Sequence, residues 1–194
     1  PIGIFAAMAA TIGASGIELL LNLGKLVLTL YVALVVFVLV ALVPVALLFR
    51  IPLRAFWKRA REPWLIAFTT ASSEAALPLA MENMEKFGVP RRIVAFVLPT
   101  GYSFNLDGST LYLSVAALFV AQAAGADLTI SQQLVIMLTL MLTSKGVAAV
   151  PRASLVILSG ALATFGLPLE GVAVILGVDA FMDMARTSVN LLGN

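Results

Sequence analysis

The last apolar segment of the sequence carries polar side chains at the spacing of one helix face. Their positions follow the intervals i, i+4, i+7, i+8, i+11 and i+15: Asp179, Asp183, Arg186, Thr187, Asn190 and Asn194. Charged side chains within a membrane helix face the protein interior or a cavity and usually pair. A structural ion pair between Asp183 and Arg186 would explain two of these residues and leave the polar residues beyond them unexplained. We therefore interpret the row as a binding surface.

An aspartate and an arginine on one face suit a ligand with an ammonium group and carboxylates. The planar guanidinium of Arg186 can bind a carboxylate with two parallel hydrogen bonds, and Asp183 can accept from the ammonium group. Asn105 and Asp107 add hard oxygen ligands, which suit a small cation rather than a transition metal. These residue types predict a cation-coupled carrier of an acidic amino acid.

Asn105 and Asp107 lie in a polar stretch, residues 101–110, that interrupts an apolar run over residues 93–124. An unpaired backbone group in hydrocarbon costs several kcal/mol, so non-helical backbone at that depth must be buried in protein or line a wet cavity. We predict a membrane-crossing helix that is broken over residues 101–110 and enclosed by the rest of the chain.

Composition sets the class of protein. The 194 residues are 61% hydrophobic and 11% charged, against roughly 45–50% and 25% in soluble domains, which indicates an all-α integral membrane protein surrounded by lipid. The absence of Cys and His excludes disulfides, thiolate nucleophiles, imidazole bases and the usual zinc or haem ligands. The net charge of +2 gives no sign of a nucleic-acid partner. Because the sequence opens at Pro1 inside an apolar run, we expect an internal piece of a longer protein.

Charge placement predicts the topology. Residues 26–49 are long enough to cross a membrane, with a kink at Pro44. Basic residues of short loops are mostly cytoplasmic, and they flank the short segment 64–79 on both sides: Arg50, Arg54, Lys58, Arg59 and Arg61 before it, and Lys86, Arg91 and Arg92 after it. We predict a re-entrant hairpin from the cytoplasm that turns at Ser72, Ser73 and Glu74; a short crossing or interfacial helix is the alternative.

A second re-entrant hairpin is predicted over residues 134–167, entering from outside, because its flanks Asp127 and Glu170 lack positive charge. The chain then divides into four parts: the end of a scaffold helix (1–25), a crossing helix with the first hairpin (26–92), the broken helix with the second hairpin (93–170) and a last crossing helix (171–194). Two such units of opposite orientation form an inverted repeat, which is typical of secondary transporters with a site near the membrane midplane.

Four motifs, in order, resemble the dicarboxylate/amino acid:cation symporter (glutamate transporter) family over the whole chain. They are the serine-rich tip Ala71-Ser72-Ser73-Glu74 with Leu77-Pro78, the break Asn105-Leu106-Asp107-Gly108, the tip Ser144-Lys145-Gly146 through Val150-Pro151, and Asp183-Met184-Ala185-Arg186-Thr187 with Asn190. The resemblance implies a carrier and not an enzyme, with coupling ions (Na⁺ and/or H⁺) in place of a cofactor. It also implies a homotrimer in the bacterial inner membrane.

The resemblance implies roles for individual residues. The substrate would be bound or gated by Ser72, Ser73, Ser109, Ala149, Val150, Asp183, Arg186, Thr187 and Asn190. Within this set Ser109 and Arg186 would bind the side-chain carboxylate, Asp183 the amino group and Asn190 the main-chain carboxylate. Sodium would be bound at up to three sites by Gly101, Ser103, Asn105, Asp107, Ser144, Lys145, Asn190 and Asn194, with Ser144 and Lys145 contributing carbonyl groups.

Two departures from the family pattern bear on the coupling ion. Sodium-coupled members carry Asp where this chain has Asn194, and many members carry Ser where it has Glu74. We therefore hypothesise that protons contribute to coupling, with Glu74, at a tip expected to be buried, or Asp107 as carrier; a partnership of Glu74 with Lys145 is the alternative.

Three other functions compete with this interpretation. A C4-dicarboxylate symporter is the nearest, but Asp183 favours a substrate with an amino group. An intramembrane aspartyl protease would use Asp107 and Asp183 as a dyad sharing a proton, and Arg186 beside Asp183 argues against it. A passive anion channel is the third.

Overall fold

A computed structural model of the chain describes Gly13 and residues 16–146 and 153–194. Every regular element within these ranges is helical, which confirms the predicted all-α class. The helices are, in chain order, α1 (Ile17–Leu48), α2 (Leu53–Thr70), α3 (Ser73–Phe87), α4 (Arg91–Phe104), α5 (Asp107–Ala123), α6 (Ile130–Thr143), α7 (Ala153–Thr164), α8 (Glu170–Leu176) and α9 (Asp179–Gly193).

Helix α1 is longer than the charge-free run predicted, since it begins at Ile17 and carries Lys25 on an exposed turn. Its packed face is a leucine row at helical spacing: Leu23, Leu26, Leu30 and Leu34. A π-helical segment, Val38–Leu42, lies just before Pro44. The helix thus continues past the proline, whose missing N–H removes one backbone bond, through a local change from α to π geometry.

Helices α2 and α3 pack against each other as a hairpin. Ala71 ends α2 in the left-handed conformation, with φ 50°, and the Ser72 hydroxyl caps α3 by accepting the Ala75 amide at 3.2 Å. At the other end the Phe56 and Phe87 rings meet edge to face, 6.1 Å apart. The arms extend beyond the predicted 64–79, and their basic flanks come to the same end of the hairpin.

Helices α4 and α5 form the broken helix, and the break is shorter than predicted. Only Asn105 and Leu106 leave helical geometry, with φ/ψ of −92°/81° and −110°/48°. The Asn105 amide still donates to the Gly101 carbonyl at 2.6 Å, and the Thr110 amide donates to the Leu106 carbonyl at 2.8 Å. Polar residues on either side of the break are therefore helical, contrary to the expected interruption over 101–110.

The second hairpin is formed by α6 and α7, which both pack on α5. Thr129 and Gln132 start α6 with reciprocal capping hydrogen bonds, and a 3₁₀ turn, Ser144–Gly146, follows it. Residues 147–152 lie outside the described ranges. Apolar side chains fill the space between the three helices: Leu113, Ala116, Ala117, Ile136, Leu140, Leu158 and Leu162.

The last segment, predicted as one crossing over residues 171–194, consists of two helices in the structure. Gly177 and Val178 form a turn between α8 and α9, with φ/ψ of −110°/−3° at Val178. Asp179 therefore begins α9 and does not lie in mid-helix. Helix α9 packs against α1, α2 and α5, and so lies between the first hairpin and the broken helix.

By length and composition, two helical runs among the described residues could cross a membrane. They are Ile17–Leu48 and Arg91–Ala123, the second of which contains the break.

Candidate functional site

The polar row of α9 is held together by charge-assisted hydrogen bonds. Arg186 Nε donates to Asp183 Oδ1 at 2.9 Å, and the Thr187 hydroxyl donates to the same oxygen at 3.2 Å. Arg186 Nη1 lies 3.7 Å from Asp179 Oδ1. The ion pair considered from spacing alone is therefore present. It also disfavours the protease alternative, because the Asp183 carboxylate that would share a proton with Asp107 is bound to a guanidinium instead.

Tyr112 forms the other side of the arginine site. The Arg186 Cζ atom lies 4.1 Å from the centre of the Tyr112 ring, in cation–π geometry. Both side chains are buried, at 1% and 2% exposure, while the Asp183 side chain keeps 16% of its surface. The guanidinium is thus fixed between a ring and two carboxylates, and Asp183 presents the accessible edge of the cluster. Tyr112 lies in an apolar run, and nothing in its position along the sequence indicates that its ring packs on Arg186.

Asn190 joins α9 to the start of α5. Its Oδ1 accepts the amides of Gly108 at 2.8 Å and Ser109 at 3.3 Å, and its Nδ2 donates to the Ser109 hydroxyl at 3.0 Å. The first amides of a helix have no partner inside it, so Asn190 satisfies two of them. Gly108 is required there, because a Cβ at that position would overlap the Arg186 carbonyl. The predicted substrate residues Ser109 and Asn190 are therefore in contact.

The end of α9 lies against the break. A Cβ on Gly193 would stand 2.9 Å from both Asn105 Nδ2 and Asp107 Oδ2. Asn194 Nδ2 donates to the Leu98 carbonyl at 3.1 Å, and the Asn194 side chain fills the space beside Gly101. Four residues predicted to bind cations thus converge at one place.

The side-chain groups between the end of α9 and the break could act as ligands of an alkali cation. Asn194 Oδ1 is buried and receives no hydrogen bond from the described residues, so it is an oxygen that a cation could satisfy. The neighbouring groups are the Asp107 carboxylate and the Asn105 side-chain amide. Within the described ranges no three His, Cys, Asp or Glu side chains cluster.

The second hairpin reaches the break through its 3₁₀ turn. The Ser144 hydroxyl is buried and lies 3.2 Å from the Thr110 hydroxyl. Lys145 Nζ donates to the Phe104 carbonyl at 3.1 Å. Ser103, expected to join these two residues, makes no side-chain hydrogen bond within the described part of the chain.

The serines at the tip of the first hairpin are separate from this network. Ser72 uses its hydroxyl for the α3 cap, and among the described residues no hydrogen bond joins Ser72 or Ser73 to the polar row of α9. Glu74 is exposed in the described chain and not buried as expected. It interacts with Tyr102, whereas Lys145 binds Phe104, so the Glu74–Lys145 alternative is not supported. The predicted gate residues Ala149 and Val150 lie outside the described ranges.

The sequence is similar along its whole length to a family of known proteins. The model of the sodium:dicarboxylate symporter family matches residues 1–194. The proton/sodium-glutamate symport protein of Geobacillus stearothermophilus is 50% identical over 194 residues, which are 100% of this chain and 46% of that protein. The proton/glutamate-aspartate symporter of Escherichia coli K12 is 49% identical over 194 residues, 100% of this chain and 44% of that protein. A C4-dicarboxylate transport protein of Bacillus subtilis is 45% identical over 195 residues, 100% of this chain and 46% of that protein. The chain spans about half the length of these relatives.

Proposed function

The chain belongs to the sodium:dicarboxylate symporter family, and from this premise we propose that it is the transport core of a symporter for glutamate or aspartate. The observation that carries the substrate class is the Asp183–Arg186 pair, 2.9 Å apart, beside Ser109 and Asn190. An acidic amino acid has the complementary groups: a carboxylate can replace Asp183 at the guanidinium, and its ammonium group can then bind the freed Asp183. Arg186 and Asp183 would each exchange the other for a group of the substrate, and neither buried charge would be left unpaired.

Substrate binding would be completed by groups already near the pair. Ser109 and Thr187 offer hydroxyls, and Asn190 offers an amide that now holds the first turn of α5. The gates would be the hairpin tips, with Ser72 and Ser73 on one and Ala149 and Val150 on the other. Local hydrogen bonding at Ser72 supports the first gate, since moving that tip breaks no hydrogen bond to α9.

The coupling cation would be held at the break beneath the substrate. The Asp107 carboxylate and the side-chain amides of Asn105 and Asn194 lie at the end of α9, and Asn194 Oδ1 accepts no hydrogen bond from the described residues. Of the two candidate proton carriers, Asp107 is the better supported, because it is half-buried and faces the break whereas Glu74 is exposed. Sodium and protons both remain candidates for the coupling ion.

The membrane arrangement is part of the proposal. The two hairpins would be re-entrant, from opposite sides, within an inverted repeat that operates by alternating access in a bacterial inner membrane. Support comes from the first hairpin, where the Phe56–Phe87 contact places both basic flanks at one end. A homotrimer would be formed by the full-length protein.

The test is uptake of labelled glutamate by the full-length protein in vesicles, under a sodium gradient alone and then a proton gradient alone. We expect accumulation against the glutamate gradient under at least one of them. Equilibration without accumulation under both would indicate a channel and contradict the proposal.

C4-dicarboxylate transport is the second candidate, favoured by the 45% identity to the Bacillus subtilis protein. Competition of labelled aspartate uptake by succinate separates the two. We expect weak competition in the wild type, and in Asp183→Ser a loss of aspartate uptake of at least about tenfold, because the ammonium group loses an ionic hydrogen bond worth roughly 1.5–3 kcal/mol. Equal competition by succinate in the wild type would favour the second candidate.

A further inference from the structure

The side chain of Lys145 ends at the break of the α4–α5 helix. Its ammonium group donates to the carbonyl of Phe104, the last residue of α4, at 3.1 Å. The final carbonyls of a helix have no partner within the helix and carry its partial negative charge. Asp107, the first residue of α5, lies close enough for its charge to attract the ammonium group. Lys145 therefore occupies the electrostatic environment that a coupling cation at the break would need.

The same turn of the second hairpin touches the other side of the break. Ser144, which is 1% exposed, has its hydroxyl 3.2 Å from that of Thr110 in α5. The two contacts connect the hairpin to the residues before and after Asn105 and Leu106. A change at the break that displaced the ammonium group would thus remove a direct contact between the second hairpin and the broken helix.

We propose that Lys145 is a tethered cation that competes with the coupling cation at the break and holds the second hairpin against the broken helix until that cation binds. The proposal rests on the proposed cation-coupled function. It assigns a role to the lysine side chain, whereas the sequence resemblance implied only a backbone carbonyl at this position. A coupling cation bound among Asn105, Asp107 and Asn194 would be a second positive charge at the same break, and like charges repel each other. Binding of that cation and the Lys145–Phe104 hydrogen bond therefore oppose each other.

A purely structural role would have a different consequence. If Lys145 only capped α4, its removal would lower stability without changing the response to cations. If it competes, its removal makes the cation bind more tightly. The response to cation concentration is therefore the informative readout, separate from transport rate.

The experiment uses the full-length protein in detergent, without amino acid, titrated with sodium chloride against choline chloride. The readouts are the sodium-dependent rise in the midpoint of thermal unfolding and, in parallel, calorimetric sodium binding. We compare wild type with Lys145→Gln, with the charge-preserving Lys145→Arg, and with Lys86→Gln, which removes an exposed lysine that pairs with Glu82 in the first hairpin. Lys145→Met is a second neutral variant in case the glutamine variant does not fold.

We expect the half-saturating sodium concentration to fall about tenfold in Lys145→Gln or Lys145→Met, because a nearby positive charge has been removed, and to stay near the wild-type value in the other two variants. An unchanged or higher value in both neutral variants, or an equal fall in Lys86→Gln, overturns the proposal. If the wild type responds to pH and not to sodium, the same variants are titrated with protons instead. The pH at which half of the stabilisation is reached should then be higher by about one unit in Lys145→Gln or Lys145→Met than in the wild type. A wild type that responds to neither ion refutes the cation-coupled function itself, which separates the two failures.

Discussion

The tip of the first hairpin and the break of the α4–α5 helix differ in the reach of their hydrogen bonds. At the tip, Thr69 and Thr70 donate to carbonyls one turn earlier in α2, and Ser72 accepts from Ala75. At the break, hydrogen bonds join residues that are 41, 81 and 96 positions apart in sequence. Groups satisfied locally can move with their own backbone, whereas groups satisfied at long range fix one element to another. The tip is thus suited to be a gate. The break, together with the polar row of α9 that packs against it, is suited to be a fixed platform.

The largest expected effect is on the platform, at Arg186. Arg186→Met would leave Asp179 and Asp183 without the guanidinium that neutralises them, at a cost of about 3–5 kcal/mol. Thermal unfolding of the full-length variant should show a much lower midpoint, with uptake lost. A variant as stable as the wild type would mean that the platform does not depend on this charge cluster.

Gly108 tests the close approach of α5 and α9. Gly108→Ala should destabilise by about 1–3 kcal/mol, because its Cβ would overlap the Arg186 backbone carbonyl, which cannot rotate away. Gly160→Ala in α7 is the matched control, since a Cβ there has no neighbour within 4 Å in the described residues. The control should be neutral or stabilised by up to roughly 1 kcal/mol. Equal unfolding midpoints for the two variants would remove the argument for a rigid contact.

The smallest effect is expected at the tip. Ser72→Ala removes the cap of α3 and should cost about 1 kcal/mol of stability, while substrate affinity stays within about twofold because no long-range contact is lost. Ser73→Ala is the control, because its hydroxyl makes no hydrogen bond in the described chain. A large fall in affinity with Ser72→Ala alone would show that the hydroxyl itself binds substrate, and would weaken the contrast between tip and platform.

Sequence reasoning located the platform residues but not the way they are joined. The 3.6-residue period was sufficient to place Asp183, Arg186 and Asn190 on one face. The polar composition around Asn105 predicts a longer break than the structure has, because polar side chains are compatible with a helix when neighbouring helices satisfy their hydrogen bonds. Packing partners of this kind cannot be read from local composition.

The features that were missed lacked a local signal. Gly177, which precedes Val178, weakens a helix but does not alone end one, and hydropathy favours a single apolar segment here. Tyr112 is an aromatic residue in an apolar run, and only the fold places its ring on Arg186. Glu74 was expected to be buried, but exposure depends on which elements cover the tip.

The π-helical segment of α1 affects where this helix can gain or lose residues during evolution. The leucines of its packed face end at Leu34, before the segment Val38–Leu42, and no residue of α1 after that point is buried in the described chain. Inserting one residue rotates everything beyond it by about 100°. An insertion within the leucine row would turn part of that row out of the core, whereas one after the π-helical segment would turn only exposed and partly buried side chains. Natural insertions and deletions in α1 should therefore concentrate between the π-helical segment and the start of α2.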